Sequence, residues 1–501
     1  MVRTLLALLL LATATTFVAA QTTSDCPLTG FDPSKDYFPK KLVPDTGAGF
    51  TITYKRSGKL LKAPTGESYY LQLCHAPDTT APTDGTPVIK IPVSTVAVAN
   101  SLAALDGLST LGVMDKVKFL APLDDPTIPC GLAAKGNGSM TELTSSVGND
   151  KYGVLFTPNP VPGNPKAVSY GGPTADMTPL QRAQWLYFLA SFFNMEDTAA
   201  DLYYKVQRTY TCRKQQVAKT ASPKPLVAVI AQADPGLNAN TWTVSSGTYW
   251  PTLIADAGGV PLSPVGGGVN VATDQLLKVL NGTHVIVDVT NRTAAATEFR
   301  FADWLKAVGA TGGIMDANAV AVPAIGNKYV YGVDARRSAL GHDDFAATAA
   351  LRPNYVLQDM MSVLYPPAQG TGYTRRYMRS IAADDGFGAV LDAAQCPNPL
   401  PAGPLTAPLA VLPGNADDCL LNAAVTQYLG ASSVVPGADA GNSQNGTGGV
   451  PIASSSHPLA GTILASIVCV GLVAGFLVFV APKLARKWRE RKNMQYAQQM
   501  L

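Results

Sequence analysis

The stretch TPLQRAQWLYFLASFFN, residues 178–194, decides how the rest of this 501-residue chain is read. Thr178 stands where a cap hydroxyl accepts from a free backbone N–H, Pro179 takes the first helical position without losing a bond, and Gln181 completes a capping box. Behind this start, Trp185, Phe188, Leu189, Phe192 and Phe193 fall on one apolar helix face. A second helical stretch follows Asn194, carries Leu202, Tyr203 and Val206, and reaches Lys219. Wholly helical, these roughly 40 residues would extend about 60 Å, enough to join two lobes.

Strand, loop and helix patterns lie on both sides of that spacer. Upstream, residues 50–54 and 69–74 read as strands in a turn-rich N-terminal extension, 21–85. The run 88–93 then passes through Ser94 and Thr95 into a helical pattern over 98–111, with further strands at 117–120 and 154–156. Downstream, 226–231, 284–289 and 329–333 read as strands, and 249–257, 297–308 and 355–364 carry the helical period. The fold class expected is therefore α/β, with two Rossmann-like lobes joined by a long helical backbone. Each lobe is expected to be a parallel sheet covered on both faces, with boundaries at 86–177, 178–220 for the linking region, and 221–390.

Both ends predict a membrane-anchored chain. Arg3, the apolar run from Leu5 and the small residues before Gln21 read as a signal peptide, 1–20. Residues 391–458 read as a Pro/Gly/Ser-rich stalk, and 459–481 is an uncharged segment long enough to cross a hydrocarbon core of about 30 Å. Lys483, Arg486, Lys487, Arg489, Arg491 and Lys492 follow, which puts the basic tail 482–501 in the cytoplasm and the bulk of the chain extracellular or lumenal. The alternative, a glycolipid-anchor signal, would end in its apolar stretch.

Six cysteines lie outside that span, at 26, 74, 130, 212, 396 and 419, an even number that predicts three disulfides of undetermined pairing. Asn137, Asn281, Asn291 and Asn445 begin N-x-S/T glycosylation sites. A net charge of +3, spread thinly outside the tail, offers no basic face for nucleic acid. Four histidines without ligand spacing and no C-x-x-C argue against a protein-built metal site. No G-x-S-x-G, H-E-x-x-H or P-loop occurs, so the expectation is a binding protein and not an enzyme, with no catalytic cofactor.

Several colinear segments resemble the type III, or helical-backbone, solute-binding proteins of cobalamin and iron-complex importers. They are Ile91-Pro-Val-Ser-Thr-Val, Leu105-Asp-Gly-Leu, Leu111-Gly-Val-Met-Asp-Lys-Val, Pro179-Leu-Gln-Arg-Ala-Gln-Trp, Thr241-Trp-Thr-Val-Ser-Ser-Gly, Leu253-Ile-Ala-Asp-Ala-Gly-Gly, Gly341-His-Asp-Asp-Phe and Leu351-Arg-Pro-Asn-Tyr-Val-Leu-Gln-Asp, within about 85–380. With the signal, cysteines and span, the chain resembles the cobalamin acquisition proteins of algae. That resemblance implies capture of cobalamin (vitamin B12) outside the cell in an interlobe cleft, and an uptake partner protein for translocation. An iron complex, siderophore or haem, is the alternative ligand, and a non-catalytic adhesion or structural glycoprotein is the alternative of another class.

A corrin ring needs aromatic walls and neutral hydrogen-bonding groups, and in open α/β sheets ligands lie beyond the carboxyl ends of strands. These requirements select Ser94, Thr95 and Tyr170 in the first lobe and Asn238, Asn240, Trp242 and Tyr249 in the second. The resemblance adds Asp343, Asp344 and Phe345 of a late cleft loop. The plainer reading makes Trp185, Trp304 and Trp250 core anchors, Asp343 and Asp344 a turn and helix cap, and Arg336 and Arg337 either a carboxylate clamp or solvent-facing. His342 is a candidate ligand for a metal carried by the solute.

Overall fold

The computed structural model describes residues 30–396 apart from 160, 221–222, 234–239, 245–246, 264–269, 293–298, 366–372 and 387–389. The expected signal peptide, the expected span 459–481 and tail, most of the expected stalk, and Cys26, Cys419, Asn238 and Asn445 therefore lie outside the described residues. Among the described residues, no helix is long and apolar enough to cross a membrane.

The N-terminal extension folds as a four-stranded sheet of β1 (Thr51–Tyr54), β2 (Gly58–Lys62), β3 (Ser68–Leu73) and β4 (Val88–Ile91). The first three pair antiparallel, and β4 runs parallel to β3. Residues 88–93, expected to open the first lobe, thus close this sheet instead. It is bound to the linking helices by aromatic packing, with Phe50 5.2 Å from Trp185 and 5.4 Å from Phe188.

The first lobe is an all-parallel sheet in the order β7-β6-β5-β8-β9, built from β5 (Val96–Ala99), β6 (Val117–Ala121), β7 (Thr141–Glu142), β8 (Val154–Thr157) and β9 (Ala167–Ser169). The helix expected over 98–111 starts later, as α1 (Leu102–Leu111), because Asn100 adopts φ 52° and breaks the chain's direction before Ser101 caps the N–H of Ala104. Val96 and Val98 are strand residues in consequence. A second helix, α2 (Pro129–Gly136), follows β6.

The linking region begins as expected, with the Thr178 and Gln181 capping box at α3 (Pro179–Ala183). It is jointed rather than continuous. α4 (Trp185–Ala190) ends ahead of Asn194, which holds φ 55°, and α5 (Glu196–Thr220) then runs 25 residues, about 37 Å.

The second lobe is a seven-stranded sheet of β10 (Leu226–Gln232), β11 (Thr241–Val244), β12 (Val260–Pro261), β13 (Val271–Ala272), β14 (Val285–Asp288), β15 (Val330–Gly332) and β16 (Arg379–Ser380). Its order is β13-β11-β10-β14-β15-β16, with β12 beside β10. β12, β10, β14 and β15 pair parallel, β11 and β16 run against them, and β13, antiparallel to β11, runs with them, so the expected parallel sheet is mixed. Its helices are α6 (Tyr249–Asp256), α7 (Thr273–Val279), α8 (Phe301–Ala307), α9 (Pro323–Gly326), α10 (Asp344–Thr348) and α11 (Pro353–Leu364). Two apolar cores cover the two faces of this sheet, one with α6 and α11, the other with α7 and α8. Trp185 and Trp304 are fully buried core residues, as the plainer reading had them.

Residues 391–396, expected to open the stalk, are packed against the folded lobes instead. Leu391 is buried, its N–H donates to the Arg337 carbonyl (2.7 Å), and Cys396 is disulfide-bonded to Cys130 on α2. Cys74 and Cys212 are also disulfide-bonded.

Candidate interlobe site

The loops leaving the carboxyl ends of the two sheets meet. After β6, the loop 122–128 presents Asp125; after β15, the segment 333–343 presents Ser338 and His342. One Asp125 oxygen accepts from the Ser338 hydroxyl and lies 2.6 Å from His342 Nδ1. Beside this contact, α1 packs on α10, and Arg352, just ahead of α11, pairs with Asp106 of α1. A third contact is backbone only: the N–H groups of Thr248 and Tyr249, opening α6, donate to the Ala175 carbonyl (3.0 and 2.9 Å).

Aromatic and cationic groups border these contacts on the second-lobe side. Trp250 and Phe345, both half-buried, stack at 5.7 Å and 11° between α6 and α10. Phe345 meets Tyr377 edge-on at 5.5 Å, and the Arg376 guanidinium lies 5.2 Å from the Tyr377 ring centre. Arg336 and Arg376 share a single Asp344 oxygen at 3.4 and 3.3 Å, with side chains 23% and 17% exposed. Burial lowers the Arg336 pKa although Asp344 opposes it. A ring stack flanked by partly wet guanidinium groups can hold a flat solute with acceptor oxygens at its rim.

The structure separates the residues singled out from sequence. Ser94 and Thr95 precede β5 and so lie at the amino end of the first-lobe sheet, away from the converging loops; the correction follows directly from the strand running 96–99. Trp242 is not on a loop but on β11, fully buried among Ile230, Leu276 and Trp304, with its indole N–H 3.2 Å from Thr273 Oγ1. Asn240, exposed, immediately precedes that strand. Tyr170 does follow β9, yet its ring is buried against Trp185 (4.9 Å), Phe156 and Phe188, so it is core. Tyr249 is buried beneath the Arg182 guanidinium, 4.1 Å from its ring centre.

Asp343 caps α10, accepting from the Ala346 N–H at 2.7 Å, and Asp344 is a buried counter-ion. Arg337 is buried with Asp334 and is no exposed clamp. Of the original set, Phe345 and the 341–345 loop border the interlobe contacts. Sequence reading set Trp250 aside as a helix anchor and passed over Asp106, although a carboxylate amid the apolar positions of α1 was the available signal.

Ser338, His342 and Asp125 are the components of a hydrolytic triad in the wrong order. The carboxylate receives both side chains, and the Ser338 oxygen meets the backbone N–H of His342 (3.1 Å), so no imidazole stands ready to take the hydroxyl proton. Among the described residues there is no group of His, Cys, Asp and Glu able to hold a metal ion.

The sequons are partly described. Asn137, Asn281 and Asn291 are exposed, and Asn291 lies three residues past β14, on the carboxyl-end side of the second-lobe sheet.

No protein-family model matches the chain, and no curated protein matches it. Among solved structures it is similar to a periplasmic binding protein from Veillonella parvula, at 10% identity and TM-score 0.44, covering 64% of this chain and 98% of that one. It is similar to the petrobactin-binding protein of Bacillus subtilis at 14% identity and TM-score 0.40, covering 61% and 98%. It is also similar to a periplasmic heme binding protein from Pseudomonas aeruginosa at 11% identity and TM-score 0.37, covering 55% and 93%.

Proposed function

We propose that this chain is a solute-binding receptor whose ligand is held where the two lobes meet. The observation that supports this best is the convergence of carboxyl-end loops from both sheets beside the Trp250–Phe345 stack and the Arg336 and Arg376 pair that shares one Asp344 oxygen. Cobalamin is the ligand implied by the sequence resemblance, and a flat iron complex is the alternative. The aromatic stack suits either, while the two guanidinium groups favour a ligand with anionic or amide oxygens. The signal peptide, the sequons and the span 459–481 support an N-glycosylated, membrane-tethered receptor with its binding lobes extracellular or lumenal, passing its solute to a separate uptake protein.

Titration of the full chain with cyanocobalamin, haem and a ferric siderophore, followed by calorimetry and by Trp fluorescence, tests this reading. Saturable binding of cyanocobalamin is expected. Binding of only an iron complex would select the alternative ligand, and no heat with any of the three would reject the receptor role.

A further inference from the structure

One edge of the interlobe contact is bound by links of three kinds within a few residues of each other. Asp125, in the loop leading into α2, receives Ser338 and His342 from the second lobe. The Leu391 N–H reaches the Arg337 carbonyl at 2.7 Å, and Val390 bridges Arg337, so the segment after the second lobe returns to the same loop. Cys396, five residues further on, is bonded to Cys130 in the first turn of α2, closing a loop of 266 residues. The 3-10 turn Ala393–Gln395 lies between them, and Asp392 caps it by accepting from Ala394 (2.9 Å). The segment 390–396 is therefore a strap from the second lobe back to the first.

We infer that this strap, its disulfide and the Asp125 contact form a clasp that limits how far the two lobes separate. Side-chain links can break and re-form as a hinge opens, whereas the disulfide cannot. Opening at this edge is then redox-dependent. A dithiol such as dithiothreitol delivers two electrons and two protons to the Cys130–Cys396 bond, leaving two thiols and its own cyclic disulfide. The clasp is independent of which solute the site takes, so it stands or falls apart from the receptor reading.

The test is backbone hydrogen exchange on the full chain, comparing the native protein with the Cys130→Ser/Cys396→Ser variant, which leaves the other disulfides intact. At least about tenfold faster exchange is expected at Thr127 and Leu391, with β5 and β10 unchanged. Unchanged exchange at Thr127 and Leu391 overturns the clasp. So does an equal acceleration in β5 and β10, which would make the bond a general staple. Should that variant fail to fold, Ser338→Ala/His342→Gln with the disulfide kept is expected to leave exchange at Leu391 unchanged, because the Cys130–Cys396 bond still holds the strap, and an acceleration of about tenfold there overturns the inference equally.

Discussion

Arg352 grips Asp106 across the lobe boundary with both ends of its guanidinium, Nη1 to Oδ2 at 2.5 Å and Nη2 to Oδ1 at 2.8 Å, in a site where both residues are nearly inaccessible to water. Burial alone would discharge Arg352, yet the facing carboxylate holds its pKa above the ordinary arginine value. Nη1 also donates to the Thr348 carbonyl (2.7 Å) and Nη2 to Thr110 Oγ1 (3.3 Å). Asp106→Ala strands that guanidinium and is expected to cost about 3–5 kcal/mol. Asp106→Leu/Arg352→Met is expected to recover much of this. Urea unfolding of the two single and one double variants measures the coupling, and additive losses would show that the pair does not act as one.

Two tryptophans eight residues apart should behave in opposite ways. Trp242 fills the second-lobe core, so Trp242→Ala is expected to destabilise by about 3–5 kcal/mol. Trp250 is half-buried on the Phe345 ring, so Trp250→Ala is expected to leave folding nearly intact while weakening solute binding by about 2 kcal/mol or more. Unfolding curves and ligand titrations on both variants check this. Unchanged affinity for Trp250→Ala would move the site elsewhere.

Lys59 predicts an alkaline signature. Its ammonium is fully buried, pairs with Glu196 at 2.5 Å, and donates to the Ser191 carbonyl (2.8 Å) and Asn194 Oδ1 (2.9 Å). Burial outweighs Glu196 and pulls its pKa down to about 8 from 10.5. Above pH 8 the unfolded chain therefore holds the proton more tightly than the native one, and stability rises with pH. By pH 9.5, still below the ordinary tyrosine range, the gain is about 2 kcal/mol relative to pH 8. Lys59→Met should lack this rise, so the difference between the two unfolding profiles is the measurement. A difference that is flat from pH 8 to 9.5 would contradict the lowered pKa.

The lobes and spacer were legible because their signals are local. The capping box at Thr178 and Gln181 and the apolar runs over 226–231 and 284–289 each declare an element without help from the rest of the chain. The site was not, since it depends on which end of a strand a residue occupies. Residues 88–91 join the N-terminal sheet and 96–99 form the first-lobe strand, which puts Ser94 and Thr95 on the amino side of that sheet, while the left-handed Asn100 delays the start of α1. Trp242 misled for a related reason: polar neighbours on both sides looked like a loop, but on β11 they alternate, with Thr241 and Thr243 half-buried and Trp242 and Val244 inward. Long-range pairs such as Asp125 with His342, 217 residues apart, leave no trace in local pattern.

Gly107 marks how tightly the first lobe is set against the linking helix. It is buried on α1, and a β-carbon added there would collide with the Leu189 Cδ1 methyl of α4 and touch Leu351 Cδ1 at 3.6 Å. Helix propensity favours alanine over glycine by about 1 kcal/mol, but overpacking a closed core costs about 1–3 kcal/mol. Leu189 has no exposed surface into which to swing, so the collision should prevail and Gly107→Ala should destabilise. Leu189→Ala alone opens a cavity at a cost of about 2–5 kcal/mol. In the double variant the new methyl occupies part of that space, and its helical preference is no longer opposed. The combined loss should therefore be smaller than the sum, by at least about 1 kcal/mol. Strict additivity in urea unfolding would mean that α1 and α4 yield to each other freely, and that Asp106, one residue before Gly107, is not rigidly presented to the second lobe.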